Sequence, residues 1–140
     1  MTATAGYSGT PLARKLGIGP GTRVLLVHAP GDYEALLEPL PARVVFARKL
    51  STATQVVHLF AERAAVLRKE LAQLRQHMPA NAAIWVSWPK QASKRPTDLT
   101  ENVIRSIALP LGLVDIKVCA VNEVWSGLKL MLRKELRGER

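Results

Sequence analysis

A chain of 140 residues with 48% hydrophobic and 22% charged side chains suits one globular domain with its own core, and excludes a disordered chain. Twenty Lys and Arg against eleven Asp and Glu give a net charge of +9 and a pI of about 10.3. No apolar run approaches the roughly 18 residues of a membrane helix, and the start "MTATAGYSGTPL" lacks the basic and apolar parts of a signal peptide. The single cysteine, Cys119, cannot form an internal disulfide. The expected setting is therefore the cytoplasm, with no membrane partner.

"SGTPLARKLGI" predicts a short helix, with Thr10 as N-cap, Pro11 at the first helical position and Gly17 closing the end. After the turn "GPGTR", "RVLLVHAP" (23–30) reads as a strand buried on both faces. "GDYEALLEPL" allows a short helix ended by Pro39 and Pro41, and "ARVVFARK" (42–49) predicts a more alternating strand near an edge. "TQVVHLF" (54–60) is a third strand. Over 62–77 the apolar positions Leu67, Leu71 and Leu74, with Met78 just beyond, share one face of a helix that Pro79 stops. "AAIWVSW" (82–88) is a fourth strand, with Trp85 and Trp88 three apart and so on opposite faces. A helix over about 99–109 has Asp98 and Glu101 as a D-x-x-E capping box. "LVDIKVCAV" and "GLKLMLRK", joined by "NEVWS", predict a closing hairpin.

The expected fold class is α/β: one three-layer domain over 1–140, with a mostly parallel sheet of about six strands ending in an antiparallel hairpin. Residues 1–20 supply the N-terminal helix and turn, and 135–140 a basic tail. Only residues 49–53 join strands two and three, whereas a parallel crossover needs about a dozen. The direction of the strand over 43–48 is therefore left open.

The segments "GYSGTPLARKLGI", "WVSWPKQASK" and "DLTENVIRSIALPLGLVDIKVCAVNEVWSGLKLMLRK" resemble the bacterial domain-of-unknown-function family 3052 over nearly the whole chain. That resemblance implies a small cytoplasmic domain without an assigned activity. More loosely, the order of elements is similar to the core of methyltransferases that use S-adenosylmethionine, a Rossmann-like fold. Such a core would need a glycine-rich turn after strand one and an acidic ribose clamp at the end of strand two. The chain reads "VLLVHAPGDYE" and "VVFARKL" there, with a lone Gly31 after Pro30 and with Arg48 and Lys49 in the clamp position. The expectation is the scaffold without the cofactor, since fold alone does not license function.

Ligands of open α/β sheets bind outside the carboxyl ends of the parallel strands. The loops expected there are "HAPGDY", "FAERA" and "WPKQASK", joined by "NEVWSG" if the fifth strand is parallel to the rest. They bring Asp32, Glu62, Lys90, Lys94, Arg95, Glu123, Trp125 and Ser126 to one rim, a composition suited to a phosphate or carboxylate beside a flat apolar group. His28, His58 and His77 are not spaced as a metal set with Cys119, and His28 and His58 read as core histidines. No nucleophile-elbow, P-loop or zinc-protease motif occurs, and no catalytic or cofactor-binding residue is assigned. The leading reading is a non-catalytic or regulatory domain that binds an anionic small molecule or an acidic protein partner. The alternatives are a transferase-like enzyme in the same crevice, with Asp32, His28 or Glu123 as acid or base, and a nucleic-acid-binding protein. The last ranks behind, because the cations are spread from Arg14 to Arg140 and aromatics are only 5%.

Overall fold

The computed structural model describes residues 10–137. Its strands are β1 (Arg23–Val27), β2 (Val45–Ala47), β3 (Val56–Phe60), β4 (Ala83–Pro89), β5 (Leu113–Ala120) and β6 (Trp125–Leu132). They form one sheet in the order β2-β1-β3-β4-β6-β5. β2, β1, β3 and β4 are parallel, and β6 runs antiparallel to both β4 and β5. β5 therefore points the same way as the parallel set.

The strand left open is parallel: Val45, Phe46 and Ala47 lie opposite Arg23, Val24 and Leu25, at the sheet's edge. Its brevity explains the link. Most of "ARVVFARK" is connection rather than strand, so residues 48–55 cross past β1 without a helix. Leu50 packs onto the core on the way, and Thr54 accepts the Ser51 N–H through its hydroxyl.

Helices cover both faces. α3 (Ala64–His77) and α4 (Glu101–Ala108) pack on one side, and α1 (Leu12–Lys15) and α2 (Tyr33–Leu36) on the other. Alternate residues of the central strands serve the two cores. Val57, Leu59, Ile84, Val86 and Trp88 face α3 and α4, while Val56, Phe60 and Trp85 face α1 and α2. Burial on both faces is why these strands read as unbroken apolar runs, and Trp85 and Trp88 do point to opposite sides.

Helix termini follow the chain less simply. α1 ends in a Schellman turn, with Ile18 N–H donating to Ala13 O at 2.8 Å and Gly17 N–H to Arg14 O at 3.0 Å. Gly17 takes φ 79°, which a side chain would strain. At its start Pro11, not Thr10, holds the N-cap position, and no side chain caps it. The expected Asp98–Glu101 box is also corrected. Thr100 caps α4 by accepting the Val103 N–H at 3.1 Å, whereas Asp98 Oδ1 accepts the Ala64 N–H at 2.7 Å and so caps α3. Tertiary proximity decides this pairing, because Arg63 at the N-cap of α3 offers no acceptor. Asp98→Ala is expected to cost about 0.5–2 kcal/mol of stability, in the range of a lost cap. A urea melt measures it, and an unchanged midpoint would mean that water serves the first turn of α3 equally well. Beyond β6 the chain turns into α5 (Lys134–Arg137) rather than continuing as strand or tail. The expectations for residues 1–9 and 138–140 fall outside the described residues.

Candidate functional site

The loops after β1, β3 and β4 and the β5–β6 turn all lie at the carboxyl edge of the parallel strands. Between them opens a crevice of about 400 Å³. Its apolar wall is Pro30, Phe60, Ala61, Val66 and Trp125, and its polar groups are His28, Glu62, Arg63 and Arg95.

Trp125 and Phe60 meet edge to face at 5.1 Å. The Arg95 guanidinium lies 5.2 Å from the centre of the Trp125 ring. Its Nε and Nη2 donate to Glu62 Oε2 at 3.1 and 2.9 Å. Both members of the pair are nearly half exposed, at 48% and 42%, so their attraction is worth at most about 1 kcal/mol. A ligand anion can therefore replace Glu62 on Arg95 at little cost.

The chain holds Arg95 there by a series of local bonds. A 3-10 turn over Gln91–Ser93 ends at Lys94, which takes the left-handed region at φ 60°. Ser93 Oγ donates to Lys90 O at 2.7 Å, Thr97 Oγ1 donates to Glu62 O at 2.6 Å, and Asp98 caps α3. Together they strap the segment after β4 across the β3–α3 junction. Arg95 and Glu62 are neighbours for that reason.

His28 ends β1 early. It adopts φ 58°, leaves the strand, and its Nε2 meets Glu70 Oε2 at 2.9 Å on α3. Its side chain is 53% exposed, so the core role expected for it is corrected. A bulky side chain held in that backbone region stores strain. His58, in contrast, is a core histidine. Its Nδ1 lies 2.8 Å from the Tyr33 hydroxyl and its Nε2 2.7 Å from Ser87 Oγ. A neutral imidazole offers one donor and one acceptor, enough to serve both hydroxyls. Burial pulls His58 down to about 3 and raises the Tyr33 phenol above its ordinary value. Phe60 stacks on the His58 ring at 4.4 Å, so this neutral chain sits directly under the crevice wall.

Of the residues expected at the rim, Glu62, Arg95 and Trp125 come together in the crevice. Asp32 is exposed at the start of α2, and Lys94 and Glu123 are exposed in their loops. Lys90 donates its backbone N–H to Val124 O at 2.7 Å, and Ser126 lies in β6 opposite Trp88. None of these five lines the crevice. Trp125 is not in the hairpin connection but is the first residue of β6, only 9% exposed. The Asn122 side chain causes this: its Oδ1 accepts the N–H groups of Val124 and Trp125, each at 2.9 Å, and closes the turn two residues before the strand start expected at Gly127. Arg63 and Phe60 line the crevice without having been singled out, and His28, expected there only as an acid or base of the transferase-like alternative, lines it too. Arg63 had a signal, since it follows Glu62 in the loop after the third strand. The outward turn of His28 had none.

No protein-family profile matches the chain, and no curated protein sequence does. The likeness to family 3052 thus gains no support from sequence comparison. Solved structures do resemble the fold. A putative type 11 methyltransferase from Sulfolobus solfataricus is 9% identical, with 92% of this chain and 93% of that one covered and a TM-score of 0.63. A protein in the NADB-Rossmann superfamily from Streptococcus agalactiae is 11% identical, with 89% and 69% covered and a TM-score of 0.50. Such identities speak for fold alone, and that fold is the Rossmann-like, methyltransferase-like one. The residues present do not fit an adenosyl cofactor. Pro30 has no N–H to offer where a glycine-rich turn would donate, His28 is drawn toward α3, and Arg48 stands just after β2 in place of an acid.

Proposed function

We propose that this chain is a non-catalytic or regulatory domain of a bacterial cytoplasm that binds an anionic small molecule in the crevice at the carboxyl edge. The observation that carries this reading is the placement of Arg95 over the Trp125 ring, with Arg63 also lining the crevice and Glu62 the only carboxylate there among the described residues. Two guanidiniums against one carboxylate favour an added anion, and the flanking aromatic wall favours a flat group attached to it.

The test is a titration with inorganic phosphate, an aryl phosphate and an aryl carboxylate, read by calorimetry and thermal shift. The aryl phosphate is expected to bind best. Arg95→Ala is expected to weaken it by about 1 kcal/mol, roughly fivefold, because a charge-assisted hydrogen bond from a half-exposed guanidinium is lost. Unchanged affinity in that variant would move the site elsewhere. S-adenosylmethionine in the same titration is expected to show no micromolar binding, and micromolar binding would overturn the reading of the loop after β1.

A further inference from the structure

A second surface lies on the outer strand of the sheet, away from the crevice. Lys117 in β5 stands directly opposite Lys129 in β6. Like charges in that position repel, yet among the described residues neither lysine makes an ion pair. Lys129 is half-buried, and desolvation, followed by the Lys117 charge, holds its ammonium below the ordinary lysine range. Among the described residues no carboxylate pairs with either lysine to relieve this.

β5 is also the last strand of the sheet, and among the described residues no strand pairs with its outer edge. A bulge between Asp115 and Lys117 breaks the strand, after which 117–120 run in straight register with 126–129. Two rows of side chains cross the sheet there. One runs Trp85, Lys129, Lys117, and the other Val86, Leu128, Val118. The first row ends on an unneutralised cation and the second on a valine left 47% exposed. A further strand would continue both rows, with an acid beside Lys117 and an apolar side chain beside Val118.

We propose that the outer edge of β5 receives an extended partner peptide in which acidic and apolar residues alternate. Strand addition uses the free backbone groups of the edge for affinity and the alternate side chains for selection. A second copy of the chain fits poorly, because it would bring its own Lys117 edge and a net charge of +9 against this one. A nucleic acid would answer the lysines but has nothing for Val118 or for the strand edge.

The experiment titrates the full chain with a short peptide alternating Glu with Val, and with the same peptide carrying Lys in place of Glu. Affinity is read by anisotropy and location by amide exchange. The Glu peptide should bind and slow exchange in 113–120. Lys117→Glu should weaken that peptide about two- to fivefold and improve binding of the Lys peptide, the size expected of an exposed charge pair. The same substitution places an acid opposite Lys129, so the melting temperature should rise, which separates lost binding from lost folding. Equal binding of both peptides to parent and variant would overturn the proposal. So would slowed exchange in β5 that grows with protein concentration alone, which means self-pairing, or that appears with single-stranded DNA and not with the Glu peptide.

Discussion

Replacing Trp85 with alanine should lower the free energy of unfolding by about 3–5 kcal/mol, the usual cost of deleting a large buried aromatic. The ring is 0% exposed on the central strand β4, where it faces α1. Its Nε1–H donates to Leu16 O at 3.0 Å, so the indole both fills the core and fastens the end of α1 to the sheet. The neighbouring strand is shaped around it. A Cβ on Gly127 would stand 3.3 Å from Trp85 Cε3, closer than side chains ordinarily approach. Removing the indole leaves a cavity that β6 cannot close, and it orphans a buried carbonyl. Trp85→Phe keeps most of the volume and loses only the donor, so it should cost less, about 1–3 kcal/mol. Domains of this size have about 5–15 kcal/mol in hand, so the alanine variant stands near the limit of folding. Urea unfolding measures both. An alanine cost below about 1 kcal/mol would contradict the packing described.

Acid should unfold the protein partly through His58. Burial lowers that imidazole from 6.5 to about 3, so the folded state keeps it neutral where the unfolded chain protonates it. The sign follows from proton counting. Below pH 6.5 the unfolded chain binds the extra proton, so stability is full above that value and falls as pH drops toward about 3. Each pH unit in that window costs roughly 1.4 kcal/mol. Asp115, held below the usual carboxylate range by Arg105, adds a loss of the same sign. His58→Phe isolates the histidine. It starts less stable near neutrality, because the Tyr33 and Ser87 hydroxyls lose their partner, but its acid slope should be flatter than the parent's. Melting curves from pH 7.5 to pH 4 make the comparison. Parallel slopes would show that the ring is already protonated in the folded state.

Parts of the crevice were legible in the chain. Arg95 and Glu62 could be assigned to neighbouring loops because each follows an apolar run that only a buried strand explains, and parallel strands end on one edge. Lys90 and Lys94 shared that logic, but side-chain direction separates them from the crevice. A 3-10 turn and a left-handed Lys94 turn only Arg95 inward. Trp125 shows the same limit in reverse. "NEVWS" looks like a turn because of its composition, and one Asn122 side chain decides that the turn closes before the indole. Trp125 therefore became core on one side and crevice wall on the other.

Periodicity by itself determined the α/β class, the covered parallel sheet, the closing hairpin and the opposite facing of Trp85 and Trp88, because repeats of 2 and 3.6 residues are local properties of the backbone. Residue identity rather than periodicity gave the loop after the first strand a lone Gly31 behind Pro30, and with it the expectation that no adenosyl cofactor binds there. Tertiary structure alone decided the direction of β2, the capping of α3 by Asp98, the outward turn of His28 toward Glu70, and the meeting of Lys117 with Lys129. Each of these depends on which distant segments come within hydrogen-bonding or van der Waals reach, and no local spacing encodes that.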